Sequence, residues 1–302
     1  NIVQHISNVP NLGDMMKVDA DTIINKTHID VVEASDNASV VQGEQLASYD
    51  KAVIFDLEDS IGAVLSSTSL SSNNYVDVRD IIITDNTLAA EAMKLIDAAN
   101  TGVVTVDILD NADNVAAEVT GSNGAGDLDE ANAVVVSGGD VTASEADAIQ
   151  AISGYVGTAS DYDVTDTAAA LISATDSVLN VDGVDTVTVS DGPVLADTGE
   201  KLAELSKDVE FNVEDTADNV AAEVTGSNGA GDLDEANAVV VSDGDVTASE
   251  ASAIQSISGY VGTASDYDVT DTAAALISAT DSVLNVDGVD TVTVSDGPVL
   301  AD

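Results

Sequence analysis

The sequence contains a long block that occurs twice. Residues 112–197 recur as residues 217–302, at an offset of 105, and 83 of the 86 aligned positions are identical. The three differences pair Gly138 with Asp243, Asp147 with Ser252 and Ala151 with Ser256. A fixed internal period is typical of repeat proteins, in which each unit packs mainly on its neighbours. The period therefore predicts a repetitive array rather than the two ordinary domains that a length of 302 residues would suggest.

Short β-rich runs recur along the chain, and most of them begin 24 to 29 residues apart. They cover residues 28–34, 52–58, 76–84, 103–109, 133–137, 161–165, 185–190, 209–214, 238–242, 266–270 and 290–295. Between them, apolar residues such as Leu171, Ile172 and Leu179 fall at three-and-four spacing, which indicates amphipathic helices. Strand, helix and parallel strand at this spacing predict a right-handed parallel α/β solenoid of about 11 coils, with four coils per 105-residue super-repeat.

The two ends of the chain differ from its repetitive part. Residues 1–75 lack the close repeat, so we expect diverged coils or a cap, continuous with a repetitive solenoid over residues 76–302. By analogy with residues 192–206, residues 297–302 should lead into a further helix. An open solenoid end exposes apolar side chains and an unpaired strand edge. We therefore expect either more repeats or a neighbouring molecule to cover this end.

Charge and composition exclude several classes of partner. The chain has 56 acidic and 7 basic residues, a formal charge of −49, so a nucleic-acid backbone would be repelled and divalent cations are the expected partners. No apolar run approaches the roughly 18 residues that a membrane helix needs. Cys is absent and only 3% of residues are aromatic, which predicts a core of Val, Ile, Leu and Ala without disulfides.

An Asp residue follows most of the predicted strands. The positions are Asp59, Asp85, Asp110, Asp166, Asp191, Asp215, Asp243, Asp271 and Asp296. One interpretation is that each carboxylate caps the helix that follows it. The other is a row of carboxylates that binds Ca²⁺, since like charges on neighbouring strands about 4.8 Å apart repel by about 0.9 kcal/mol per pair. Both interpretations stay open on the sequence alone.

A glycine-rich acidic loop, GSNGAGDLDEAN, provides a second candidate for cation binding. It occurs at residues 121–132 and again at residues 226–237. Its possible oxygen ligands are Asn123, Asp127, Asp129 and Glu130, with the copies Asn228, Asp232, Asp234 and Glu235. The spacing is neither that of an EF-hand nor that of a phosphate-binding loop, which would also need a Lys. A solvated acidic loop and a Ca²⁺ site are the alternatives.

Catalysis finds little support in the sequence. The only His residues, His5 and His28, lie outside the repeat, so a recurring triad or zinc cluster is excluded there. Acidic pairs carry almost no information among 56 acidic residues. We therefore expect the chain not to be an enzyme.

Two segments carry a resemblance to a known class of protein. Residues 164–171, VTDTAAAL, and residues 213–220, VEDTADNV, resemble the V-x-D-T-A-x-x-[LIV] units of very long acidic bacterial surface proteins. The resemblance covers roughly residues 76–302 and implies a secreted adhesin, surface-layer or matrix-fibre component, often cation dependent. The resulting expectation is an extracellular structural protein that self-associates end to end or side by side and is stabilised by Ca²⁺. The alternative is an adhesin stalk that contacts glycans or proteins.

Overall fold

The structure is a computed structural model that describes most of the chain. The described residues are 3–6, 31–34, 36–48, 52–72, 75, 77–98, 102–121, 128–174, 176–226 and 233–297. They divide into two compact bodies. The first body comprises residues 1–139 and 145–162, and the second comprises residues 140–144 and 163–302.

Within each sheet the described strands are parallel and pair in the order of the sequence. They are β1 (Val3–Ile6), β2 (Val31–Ala34), β3 (Val53–Asp59), β4 (Val78–Ile83), β5 (Val104–Thr105), β6 (Asp107–Asp110), β7 (Ala133–Val141), β8 (Asp161–Asp166), β9 (Val184–Val189), β10 (Asn212–Asp215), β11 (Ala238–Val246), β12 (Asp266–Asp271) and β13 (Val289–Val294). One sheet has the order β1-β2-β3-β4-β5, a second β6-β7-β8-β9 and a third β10-β11-β12-β13. Parallel neighbours need a crossover, which the helices supply.

Helices lie between most consecutive strands. They are α1 (Val40–Ala47), α2 (Ile61–Ser66), α3 (Thr68–Ser72), α4 (Ala89–Ala98), α5 (Ala112–Thr120), α6 (Ala143–Gln150), α7 (Ala168–Ser173), α8 (Asp176–Leu179), α9 (Ala196–Ala203), α10 (Ala217–Thr225), α11 (Ala248–Gln255), α12 (Ala273–Ser278) and α13 (Asp281–Leu284). Short 3₁₀ turns occupy Leu128–Glu130, Gly157–Ala159, Leu233–Glu235 and Gly262–Ala264. The fold is therefore mixed α/β with repeating strand–helix modules, as an α/β repeat requires, while a closed solenoid coil stays a prediction.

Several of the predicted strands differ from the observed ones. The run at residues 103–109 is split, because β5 pairs with β4 whereas β6 pairs with β7. The run at residues 133–137 continues to Val141, since Gly138 and Gly139 adopt positive φ angles of 69° and 99° within the strand. Consecutive glycines suggest a turn in the sequence, but here they form an irregularity that the strand passes through.

The core consists of aliphatic side chains with a few aromatic ones. As expected, most buried residues are Val, Leu, Ile and Ala. Several of the scarce aromatic residues nevertheless lie inside, and Phe55, Tyr162 and Tyr267 are among the largest fully buried side chains. Rare aromatic residues are thus concentrated where they bury the most apolar area.

Two helix glycines make room for buried rings. An added Cβ at Gly43 on α1 would lie 2.8 Å from the ring of Phe55 on β3. An added Cβ at Gly199 on α9 would lie 2.9 Å from Val213 and 3.1 Å from Phe211. The helix therefore approaches the strand more closely than any other residue would allow.

These contacts predict opposite effects for two Gly→Ala substitutions in the first body. Gly43→Ala forces its Cβ against the Phe55 ring and should lower the free energy of unfolding by about 1–3 kcal/mol. The matched control, Gly62→Ala on α2, meets nothing within 4 Å and should raise stability by about 0.5 kcal/mol through helix propensity. Urea denaturation measures both, and equal effects would contradict the close helix–strand contact.

Candidate functional site

Five aspartates at the ends of strands join neighbouring modules through their carboxylates. We call Asp59, Asp110, Asp166, Asp215 and Asp271 the strand-end aspartates. In each, Oδ1 accepts the N–H of the next residue, and Oδ2 accepts the first N–H of the helix that precedes the strand. At Asp215 these bonds are 2.7 Å from Thr216 N and 3.0 Å from Ala196 N. The N–H groups at a helix N-terminus lack intrahelical partners, so a carboxylate stabilises them.

The helix that follows each strand-end aspartate is capped by a different residue. The caps are Ser60, Asn111, Thr167, Thr216 and Thr272, whose side-chain oxygens accept an N–H three residues further on. The expectation that the Asp itself caps the following helix is therefore corrected. The Asp caps the preceding helix, and its neighbour in the sequence caps the following one. The V-x-D-T-A pattern thus contains two caps for two different helices.

Three further aspartates make the same kind of bond from longer loops. Asp85 Oδ1 accepts the N–H of Ile61 at 2.8 Å. Asp191 and Asp296 accept the N–H groups of Ala168 and Ala273 at 3.0 and 2.9 Å. Each donor is the first residue of a helix, namely α2, α7 and α12. The bond between modules is therefore kept where the loop after the strand is longer.

Asp110 and Asp215 are the most enclosed of these residues. Each is only 7% exposed and accepts a third hydrogen bond, from Asn114 Nδ2 at 2.8 Å or from Asn219 Nδ2 at 2.7 Å. Both carboxylate oxygens are thus occupied by N–H donors. Across the described ranges, no cluster of three or more His, Asp or Glu side chains is arranged to hold a metal ion. Ca²⁺ binding at the predicted positions stays a hypothesis.

Asp243 does not belong with the other strand-end positions. It lies inside β11, where the first copy has Gly138, and its φ angle is 62°. Its Oδ1 accepts the N–H of Gly244 at 2.8 Å, and its side chain is exposed. The prediction placed it after a strand, but β11 continues through the irregularity to Val246. Asp is among the residues that tolerate positive φ, which is why it can replace glycine there.

The acidic loops contribute one bond between modules in each copy. Asp129 Oδ1 accepts the N–H of Ser153 at 2.7 Å, and Asp234 accepts that of Ser258 at the same distance. Glu130 and Glu235 are exposed in the 3₁₀ turns. The other predicted ligands, Asn123, Asp127, Asn228 and Asp232, lie outside the described residues.

A second group of aspartates was not singled out by the sequence. Asp80, Asp163 and Asp268 lie within strands, and their Oδ1 atoms accept backbone N–H groups from the next module. For Asp163 the donors are Thr186 N at 3.1 Å and Thr186 Oγ1 at 2.6 Å. The donor lies 23 residues after the Asp in all three cases. That spacing was the signal that could have revealed them.

Comparison with known proteins gives no relative. No family model, no curated protein and no solved structure matches this chain. Within the described residues, no helix has the length and apolar character needed to cross a bilayer. Of the two His residues, His5 lies on β1 and His28 falls outside the described ranges.

The strand-end bonds predict a large effect for a single substitution. Asp215→Ala leaves the N–H groups of Thr216 and Ala196 without their buried carboxylate and should lower the free energy of unfolding by about 2–3 kcal/mol. Glu214→Ala removes an exposed carboxylate next to it and serves as the control. Chemical denaturation followed by circular dichroism measures both. Equal small losses in the two variants would show that the Asp215 bonds do not stabilise the fold.

A pair of glutamates on neighbouring helices predicts a pH effect. Burial raises the pKa of Glu223 on α10 above its usual value near 4.5, and Glu200 on α9 raises it further through a hydrogen bond and charge repulsion. A carboxyl whose pKa is raised by folding stabilises the fold fully below its unfolded pKa, and this contribution is lost as the pH rises through the folded pKa. Glu223→Gln should therefore raise the denaturation midpoint at neutral pH.

The gain from Glu223→Gln should shrink as the pH falls toward and below about 4.5, because Glu223 is then increasingly protonated and, like Gln, uncharged. Denaturation curves over a pH series measure the difference. Glu118→Gln, at the equivalent position of the first copy, is the matched control. A gain from Glu223→Gln that is the same at every pH would refute the explanation.

Proposed function

We propose that this chain is a segment of a secreted structural repeat protein, part of an extracellular fibre or a cell-surface coat. In this proposal the modules continue one another as a right-handed parallel α/β solenoid. Its role is mechanical rather than catalytic, with force passing through the bonds between successive modules. Self-association end to end or side by side would extend the array.

The observation that carries the proposal is the repeated bond between modules. The five strand-end aspartates each join two successive modules through a carboxylate, and parallel pairing within each sheet follows the sequence order. The bonds recur at equivalent positions in the two copies, as in Asp166 with Ala143 and Asp271 with Ala248. Structure that depends on contacts between successive modules is the property expected of an extended scaffold.

The charge of the chain supports a role for cations. A formal charge of −49 with 7 basic residues produces strong self-repulsion, which bound or condensed cations reduce. Exposed carboxylates such as Glu130 and Glu235 are hard oxygen ligands of the kind that Ca²⁺ prefers. We therefore include stabilisation by Ca²⁺ in the proposal.

A single preparation tests both parts of the proposal. The purified chain is divided between buffer with millimolar Ca²⁺ and buffer with EDTA at equal ionic strength, and each half is examined by electron microscopy and thermal denaturation. We expect fibres or sheets and a higher melting temperature with Ca²⁺, and Mg²⁺ serves as the control for charge screening. An unchanged melting temperature would overturn the Ca²⁺ part, and isolated particles in both buffers would overturn the fibre.

A binding role as an adhesin stalk is the second candidate, and one feature of the second body favours it. A cavity of about 490 Å³ is lined by residues that include Asp185, Lys207, Glu235 and Asn237. Its volume falls in the range of small-ligand sites, and its polar lining suits a glycan. Glycan binding by isolated particles, without fibres, would favour this candidate over the first.

A further inference from the structure

One of the three differences between the copies places an aspartate directly before a glycine inside a strand. Asp243 and its neighbour Gly244 lie in β11, and the first copy has Gly138 in place of the aspartate. Strand β11 pairs with β12 at Ser242 and again at Asp245, but the register shifts between these two positions. Two residues of β11 therefore lie opposite one residue of β12, which is the arrangement of a β-bulge.

The side chain and the backbone of this dipeptide are already in contact. Asp243 Oδ1 accepts the N–H of Gly244 at 2.8 Å, so the side-chain carbonyl carbon, Cγ, lies beside the same nitrogen. Within the described part of the chain this is the one hydrogen bond of the Asp243 carboxylate, and the side chain is exposed to water. Gly244 has no side chain to hinder the approach of its nitrogen to Cγ. A nucleophile and a carbonyl carbon held this close are arranged for an intramolecular reaction.

Other aspartates that resemble this one are held by different contacts. Asp215 Oδ1 accepts the N–H of Thr216, but its Oδ2 accepts that of Ala196, and the residue is only 7% exposed. Thr216 is also β-branched, which leaves less room around its nitrogen. At Asp191, which does precede a glycine, the carboxylate accepts the N–H of Ala168 at 3.0 Å. The bulge thus combines a following glycine, an exposed carboxylate and contact between that carboxylate and its own backbone neighbour.

We propose that Asp243 is a site of spontaneous covalent modification, at which the aspartyl link to Gly244 converts to an isoaspartyl link. The nitrogen of Gly244 bonds to Cγ of the protonated side chain, the amide proton and the carboxyl hydroxyl leave together as water, and a succinimide ring forms. Water then adds to the former backbone carbonyl of Asp243 and breaks its bond to nitrogen. The chain afterwards continues through Cβ and Cγ, and the former backbone carbonyl carbon becomes a free carboxylate.

The modification lengthens the backbone at a place that already contains an extra residue. The isoaspartyl link adds one atom to the main chain between Asp243 and Gly244. In a regular strand such an insertion shifts the register, whereas a bulge already leaves its residues out of the ladder. Pairing at Ser242 and Asp245 should therefore persist in the product. The first copy has Gly138 at this position and stays unmodified there, so the two copies diverge chemically as the protein ages, with or without fibres and Ca²⁺.

The test incubates the full chain for equal times at one pH, folded in buffer or unfolded in urea. Peptide mapping with electron-transfer dissociation mass spectrometry then distinguishes aspartyl from isoaspartyl links. The comparison sites are Asp191 and its copy Asp296, which also precede glycines and whose carboxylates accept helix N–H groups. In urea all three sites should convert at similar rates. In the folded chain Asp243 should convert at least about tenfold faster than the other two, because its carboxylate alone contacts the attacking nitrogen.

Equal rates at the three sites in the folded chain, or no isoaspartate at Asp243, would overturn the inference. Asp243→Gly copies the first block and should abolish the signal with little change in the denaturation midpoint, since Gly138 adopts a φ angle of 69° at the equivalent position. Asp243→Asn should form the same succinimide with loss of ammonia and leave a product of higher mass. An Asp243→Asn chain that stays unmodified while folded would show that the bulge does not admit the ring, which contradicts the proposal.

Discussion

The bond from a strand-end carboxylate to the N-terminus of the preceding helix is the interaction on which the structure depends. It satisfies two backbone N–H groups that secondary structure leaves without partners, and it joins two modules that are separate in sequence. Its acceptor is charged, but its donors are neutral amides, so no basic residue is needed. This explains how a chain with 56 acidic and 7 basic residues can still use its carboxylates to hold modules together.

Much of the fold follows from local pattern. Alternating apolar residues and three-and-four spacing predict the strands and helices, and the fixed period predicts their parallel order. The direction of the Asp bond could not be predicted in this way. The partner of Asp166 is Ala143, which is 23 residues earlier, and it is brought close only by pairing between strands. The continuation of β7 through Gly138 was also hidden, because paired glycines usually mark turns.

At the candidate site, too, the sequence indicates which residues lie at the ends of strands but not which distant residues they contact. Sequence alone pointed to Asp110 and Asp215, but its capping interpretation placed their carboxylates on the following helix, whereas they accept the first N–H of the preceding one. It did not select Asp163, whose partner Thr186 belongs to the next strand. The duplicated block adds a further point, since Leu171 is fully buried and its equivalent Leu276 is only half-buried. Identical sequences form the same strands and helices in both copies, whereas the burial of their side chains depends on the module packed against them.

The carboxylate bonds between modules recur with the period of the duplicated block. Asp191 and Asp296 stand at equivalent points, 105 residues apart, and each accepts the N–H of an identical Ala. Removing or adding one whole period would join chemically identical junctions, and every donor would still meet its acceptor. Removing a single residue from a strand would instead turn its side chains to the opposite face. Genetic variation in such a chain is therefore expected to proceed by whole periods, so that the number of modules changes in fixed steps.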